Sequence, residues 1–506
     1  MENANFKNSF LDAWRAGDYP TSFDSLHRFF DYTMRNRDRL FYQYALLNLA
    51  VLQADFGCYQ EAVAAMHETV STARENKDMG CLNFSLSWLY HFGKAHPSVI
   101  TDADKSNMLG VEREGLAFLR AKAKESGMSP LWSSSLLSEA KMGLANGESI
   151  ATAFENILRS SQIIITKNLV NTVGSLMLMQ SATWSRLGVT QLSWLFCETF
   201  IRCHSKEVPF DDVLKFTCRS AYLLIQEGKY DDAKSRLESL DTNSLRSLKA
   251  SQYYQRFRGV LMLKRDLHHN HLDGANYLLS QLSQYQSGDQ DLNFEIQTLH
   301  IDYLMRRKNF PNALAMIEKI ATNLKEDDED LYYRTRVLIL KASLYSKCGS
   351  PQKGFSIAVR AANLAWRARL LPALWHAMGM LANILTSLSS FSAAISLLTA
   401  VIPRVLEVSD SLISAQLYSF LVDAYIGLAG EAAVGSIKRM EFFTQAIEFI
   451  DRSFAEWSHL EDVEGQCEMM AKKATIMQLV GEKALANDYA AKYLDLKREG
   501  KELTAT

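Results

Sequence analysis

The run Ala221-Tyr222-Leu223-Leu224-Ile225-Gln226-Glu227-Gly228-Lys229-Tyr230-Asp231-Asp232-Ala233 carries an apolar helical segment into a glycine. An aromatic follows two residues later, a small residue five later, and a second small residue stands seven before. Each position has a physical reason. Glycine takes the left-handed conformation that ends a helix without a Cβ penalty. Alanines on either side of such a turn let two antiparallel helices approach closely, and the aromatic that opens the second helix fits the groove beside the next pair. The stretch therefore predicts helix, tight turn, helix.

The same grammar recurs. Gly57-x-Tyr59-x-x-Ala62, Lys308-x-Phe310-x-x-Ala313, Ser389-x-Phe391-x-x-Ala394 and Gly481-x-Lys483-x-x-Ala486 repeat it. Weaker copies are Gly17-x-Tyr19-x-x-Ser22, Asn270-x-Leu272-x-x-Ala275 and Gly349-x-Pro351-x-x-Gly354. The upstream small residue returns as Ala50, Ala342, Ala382 and Ala474. Turn positions 228, 270, 308, 349 and 389 step by about 40 residues, as do 17 and 57. Pro20, Pro311 and Pro351 fall just after a turn, where a missing N–H is tolerated. This is the signature of an all-α, superhelical array of tetratricopeptide-like antiparallel helix pairs, stretched to ~40 residues per repeat. Each pair buries its apolar face against the next, and the length accommodates roughly eleven to twelve of them.

Composition agrees. The 506 residues include 24 Gly and 8 Pro, about half the usual share, which disfavours all-β folds and glycine-rich nucleotide-binding domains. With 55 basic and 57 acidic side chains, the net charge of −2 offers no field for phosphates or anionic lipid, so neither nucleic acid nor membrane is expected as a partner. Seven scattered cysteines (Cys58, Cys81, Cys197, Cys203, Cys218, Cys348, Cys467) without C-x-x-C spacing fit buried thiols in a reducing compartment. The stretch from Arg369 to Arg404 holds no charge between its ends, but Pro372, His376, Asn383 and Ser387-Leu388-Ser389-Ser390 divide it into two buried repeat helices.

Along the chain, 1–95 reads as N-terminal helix pairs and 96–110 as a linker around Pro97. Residues 111–205 read as irregular helical repeats, since no register against the period is found there. A second linker, 206–212, precedes a continuous array over 213–500, and 501–506 is a tail. Gly430 to Gly435 is an inserted loop, and Glu326-Asp327-Asp328-Glu329-Asp330 a solvated one.

No motif of catalysis or phosphate binding occurs, and no catalytic residue, metal or cofactor is expected. His268-His269-Asn270-His271 lacks carboxylate or Cys partners at ligand spacing and reads as a solvated turn. Cys203-His204 reads as a buried structural thiol at a helix end. The residues singled out are structural: Ala50, Gly57, Tyr59, Ala62, Ala221, Gly228, Tyr230, Ala233, Phe310, Ala313, Ala382, Phe391, Ala394, Ala474, Gly481 and Ala486.

Two stretches go beyond repeat grammar: Tyr44-Ala45-Leu46-Leu47-Asn48-Leu49-Ala50-Val51-Leu52 with Phe56-Gly57-Cys58-Tyr59-Gln60-Glu61-Ala62, and Cys81-Leu82 with Leu86-Ser87-Trp88-Leu89-Tyr90. In this order and spacing they resemble the family of anaphase-promoting complex subunit 5. The similarity continues through Trp184-Ser185-Arg186-Leu187-Gly188 and ends in Gln445-Ala446-Ile447-Glu448-Phe449-Ile450. The resemblance implies a non-catalytic platform subunit of a cell-cycle ubiquitin ligase, in nucleus and cytoplasm, contacting the large subunit 1, subunit 4 and the small subunit 15. Family members carry a separate helical domain ahead of the repeats, whereas here the repeat grammar begins at Gly17. A sensor or adaptor array of another signalling assembly is the alternative, with an α/α toroid enzyme behind it.

Overall fold

The computed structural model describes residues 2–35, 42–96, 99, 112–284, 289–326 and 330–502. Among them are 24 α-helices and no strand. They fall into twelve consecutive pairs: α1 (Glu2–Ala16) and α2 (Tyr19–Arg35), α3 (Tyr42–Asp55) and α4 (Tyr59–Glu75), α5 (Met79–Ala95) and α6 (Glu112–Glu125), α7 (Ser129–Ala145) and α8 (Ile150–Lys167). Next come α9 (Val170–Arg186) and α10 (Thr190–Cys203), α11 (Phe210–Gln226) and α12 (Tyr230–Glu238), α13 (Leu248–His268) and α14 (Leu272–Gln284), α15 (Gln290–Arg306) and α16 (Phe310–Glu326). The last four are α17 (Leu331–Lys347) and α18 (Phe355–Arg367), α19 (Leu371–Ser387) and α20 (Phe391–Val408), α21 (Ser411–Glu431) and α22 (Ile437–His459), α23 (Val463–Val480) and α24 (Lys483–Glu502).

The two ends of a pair are built differently. Odd-numbered helices tend to open on a side-chain cap: Asp78, Asp289, Asp330, Asp410 and Asp462 each accept backbone N–H bonds from the first turn of α5, α15, α17, α21 and α23. Such a carboxylate also faces the positive end of the helix dipole. Most even-numbered helices instead start directly from the turn that closes their partner, α22, which opens on a Ser436 cap, being an exception. At Gly228 (φ 82°) the turn N–H groups fold back, Gly228 onto Ile225 O at 3.1 Å and Lys229 onto Leu224 O at 2.9 Å, a Schellman arrangement that satisfies the last carbonyls of α11.

Odd-numbered helices also stack on one another. α3 packs on α5, and from α7 onward each odd helix touches the next odd helix as far as α21. The apolar core is accordingly a row of clusters along the array, for example Leu214, Ala221, Tyr230, Ala233, Phe257 and Leu261 at one level and Ala382, Ala394, Leu398 and Leu417 at another. No single cluster would hold the chain alone, as expected of a solenoid.

Residues 112–203 depart from the irregular reading given to 111–205. They form α6 to α10 in the same alternation, with left-handed turns at Gly147 and Gly188. The signature is masked there because the turn after α7 is one residue longer, moving the buried alanine to Ala153, and because Thr190 and Ser193 take the aromatic and small positions after Gly188. Gly430 and Glu431, read as loop, complete α21, and Lys501 and Glu502 complete α24. Most of the 96–110 linker, the acidic residues 327–329 and the tail from 503 lie outside the described residues. α20 and α21 are long and apolar enough to cross a membrane by length and composition. In the array they are consecutive repeat helices, and the exposed side of α20 carries Ser392, Ser396, Thr399, Arg404 and Glu407.

Candidate interaction surface

The structural positions read from the sequence are distributed along the array and do not converge on one site. Ala50, Ala62, Ala221, Ala233, Ala313, Ala382 and Ala394 are fully buried, and Tyr230 nearly so. Tyr59, Phe310 and Phe391 are half-buried. Ala474 and Ala486, in the last pair, are also only half-buried. The aromatic that opens an even-numbered helix meets the end of the next odd one: Tyr19 against Phe56, Tyr59 against Phe92 and His96, Tyr230 against His268.

A second level of contact joins residues about five pairs apart. In four pairs the turn inside the pair seats on or beside the joint that follows the pair five places on. Gly17 faces Leu248, Gly147 faces Leu331 and Ala368, Gly188 faces Val408, and Gly228 faces the backbone of His459 and Leu460. The array therefore winds until successive coils touch. A Cβ on Gly228 would overlap the His459 carbonyl, whereas one on Gly481, in the last pair, would meet nothing within 4 Å.

Polar side chains lock these coils. Arg186 donates to the Ala368 carbonyl at 3.1 Å and also to that of Leu144, and Thr190 donates to the Val408 carbonyl, 218 residues along the chain. Lys249 pairs with Asp55. Arg265 makes a two-pronged bond to Glu461 at 2.8 and 3.0 Å, and His269 lies 2.6 Å from the same carboxylate. Buried Arg306 sits between Asp302 at 3.2 Å and Asp462 at 2.5 Å, with Glu464 at 3.6 Å. Burial alone would raise Asp302, Glu461 and Asp462, but the adjoining cations reverse it: Arg306 holds both aspartates below the carboxylate range, and His269 with Arg265 takes Glu461 down to about 2.

The histidine run is therefore no solvated turn. His268 is 3% exposed, with its Nδ1 2.9 Å from both the Tyr230 hydroxyl and the Leu460 carbonyl, because the winding of the array brings the α22–α23 joint onto it. Burial lowers its pKa to about 4, so it is neutral. Among the described residues no three His, Cys, Asp or Glu are grouped as metal ligands. Cys203 is exposed rather than buried, lying at the open end of α10, while Cys197 one turn and a half earlier points into the core.

Sequence reasoning missed this whole set. Arg306, Asp462, Arg265 and Glu461 belong to segments with no local motif in common, and only the stacking of coils brings them together. A local network was equally hidden at the front: Asp78, besides capping α5, accepts from Gln43 at 3.0 Å and from the Tyr44 hydroxyl at 2.8 Å, which raises Tyr44 to about 12.

A coiled array of this kind, with coil joined to coil by buried polar side chains, defines a helical-repeat protein. Residues 6–96, spanning α1 to α5, match the family model described as "Anaphase-promoting complex subunit 5". Over 348 residues the chain is 28% identical to anaphase-promoting complex subunit 5 of Schizosaccharomyces pombe, covering 68% of this chain and 45% of that protein. It is 48% identical over 52 residues to the Homo sapiens protein of the same name, 10% of this chain and 7% of that one. The chain thus spans less than half the length of these relatives, and the resemblance to anaphase-promoting complex subunit 5 is shown. Among solved structures, a Rap protein complexed with competence and sporulation factor superposes with a TM-score of 0.42 at 14% identity over 58% of this chain and 78% of that one, too loosely to carry an argument.

Proposed function

We propose that the chain is a non-catalytic scaffold subunit of the anaphase-promoting complex, the ubiquitin ligase that controls mitotic and G1 progression, and that it works by protein–protein contact in nucleus and cytoplasm. The observation that carries this reading is the family match over 6–96 together with the fission-yeast relative aligned over 348 residues. The fold is consistent with it, since stacked helix pairs offer extended binding faces and the buried charges are engaged in holding the coils together. Its neighbours in the assembly would be other subunits, with the large subunit 1, subunit 4 and the small subunit 15 the expected contacts. Affinity purification of the tagged chain from dividing cells, followed by mass spectrometry, tests the proposal. Recovery of the other ligase subunits is expected; recovery of none would overturn it.

A further inference from the structure

Residues 331–406 contain no Asp or Glu and nine Lys or Arg, in a chain whose net charge is −2. Five of the nine are engaged by neighbours. Arg336 pairs with Glu295, Lys341 with Glu318, Lys347 with Asp302 and Arg404 with Glu407, while Arg334 donates to the Leu324 carbonyl. The other four lie together at 353–369, in and around α18, and among the described residues no carboxylate lies within ion-pair distance of them.

The same helix exposes an apolar stripe. Phe355 is 50% exposed, Val359 42% and Trp366 54%, with half-buried Ala362 between them. Their spacing of i, i+4, i+7 and i+11 places them on one face over about 16 Å. Arg360 and Arg367 lie on the same exposed side, one row beyond Ser356 and Asn363, and the Arg369 guanidinium lies 4.4 Å from the Trp366 ring centroid, bracing the indole at its end.

We propose that the exposed face of α18 is a docking surface for an acidic amphipathic helix of a partner protein. The apolar stripe has the period of a helix, so a second helix laid along it can match its anchors turn for turn. The flanking guanidiniums lack counter-charges, and carboxylates on the incoming helix would supply them in a partly desolvated setting. Trp and Arg are also the residue types that dominate interface energetics. A nucleic acid is disfavoured, because a phosphate backbone needs a longer basic track. The proposal stands whether or not the chain belongs to the ligase.

The test uses the full chain and fluorescent synthetic peptides of about twenty residues, long enough to form a helix. One peptide carries Leu at helical spacing with Glu on the flanking positions; a second has the same composition scrambled. A uridine oligonucleotide of similar length and vesicles rich in phosphatidylserine are measured alongside. The helical peptide is expected to bind, more weakly at high salt, and at least about tenfold more tightly than the scrambled one. R360E/R367E and W366S should each weaken it by about tenfold or more while leaving the thermal midpoint unchanged. R360Q/R367Q replaces the charge reversal if that variant is destabilised. Equal binding of both peptides, unchanged affinity in the variants, or preferential binding of the oligonucleotide or vesicles through the same residues would overturn the proposal.

Discussion

Arg306 and Asp462 are 156 residues apart in the chain and 2.5 Å apart in the fold. Asp462 uses its other oxygen to cap α23, accepting the Gly465 N–H at 2.8 Å, so one carboxylate both starts a helix and ties two coils together. Replacing Arg306 by Met would leave buried Asp462 without its cation and Asp302 with Lys347 alone, at 3.5 Å. A loss of about 3–5 kcal/mol is expected, the cost of breaking a buried pair by removing one partner. Urea unfolding checks it, and hydrogen exchange should show α23 opening first; an unchanged midpoint would refute the assignment.

The two kinds of turn glycine predict different costs. Gly481→Ala meets only the penalty of a left-handed backbone, about 1 kcal/mol. Gly228→Ala adds an overlap with the His459 carbonyl and should cost clearly more, in the range of about 2–4 kcal/mol. Thermal midpoints of the two variants, compared side by side, decide the matter. Equal shifts would mean the coils do not touch there.

Ala62 and Ala394 lie fully buried where the two helices of a pair approach. Leu at either position should overpack that contact at about 1–3 kcal/mol. Unchanged thermal stability in both variants would contradict the packing described.

His268 gives a pH dependence with a definite sign. Its folded pKa, about 4, lies below the ordinary 6.5, so the unfolded chain binds more protons between those values. Stability should therefore be complete above about pH 6.5 and fall as the pH drops toward 4. Half-buried His376, also lowered to about 4 by desolvation, acts in the same direction. Between pH 7.5 and 5.5 His268 alone should account for on the order of 1 kcal/mol. His268→Asn should reduce the difference between urea midpoints at those two pH values; a variant with the wild-type difference would count against the buried, neutral imidazole.

Much of the architecture is written locally. Gly57, Gly228 and Ser389 announce their turns because the left-handed backbone and the helix approach are decided within a few residues. Gly147 and Gly188 escape the pattern only because one turn is a residue longer and the other has Thr190 and Ser193 in place of the aromatic and alanine. The locks between coils are a different matter. Whether His268 is wet or buried depends on where Leu460 arrives, and that is set by the summed rotation of every pair between them, which no short window contains. The docking face on α18 lies between these cases: its missing acids are visible in the sequence, but the exposure of Trp366 is not.

Seating the turns at Gly17, Gly147, Gly188 and Gly228 on joints five pairs later also ties the two coils to one repeat number. In an open solenoid the gain or loss of one helix pair in the middle lengthens or shortens the stack and leaves every other contact in place. Here an added pair between Arg265 and Glu461 would rotate the second coil by one step and bring a different joint over the turns it now covers. The repeats can diverge in sequence, as Gly188-x-Thr190 has from Gly228-x-Tyr230, yet their count is held as firmly as a single active-site residue would be.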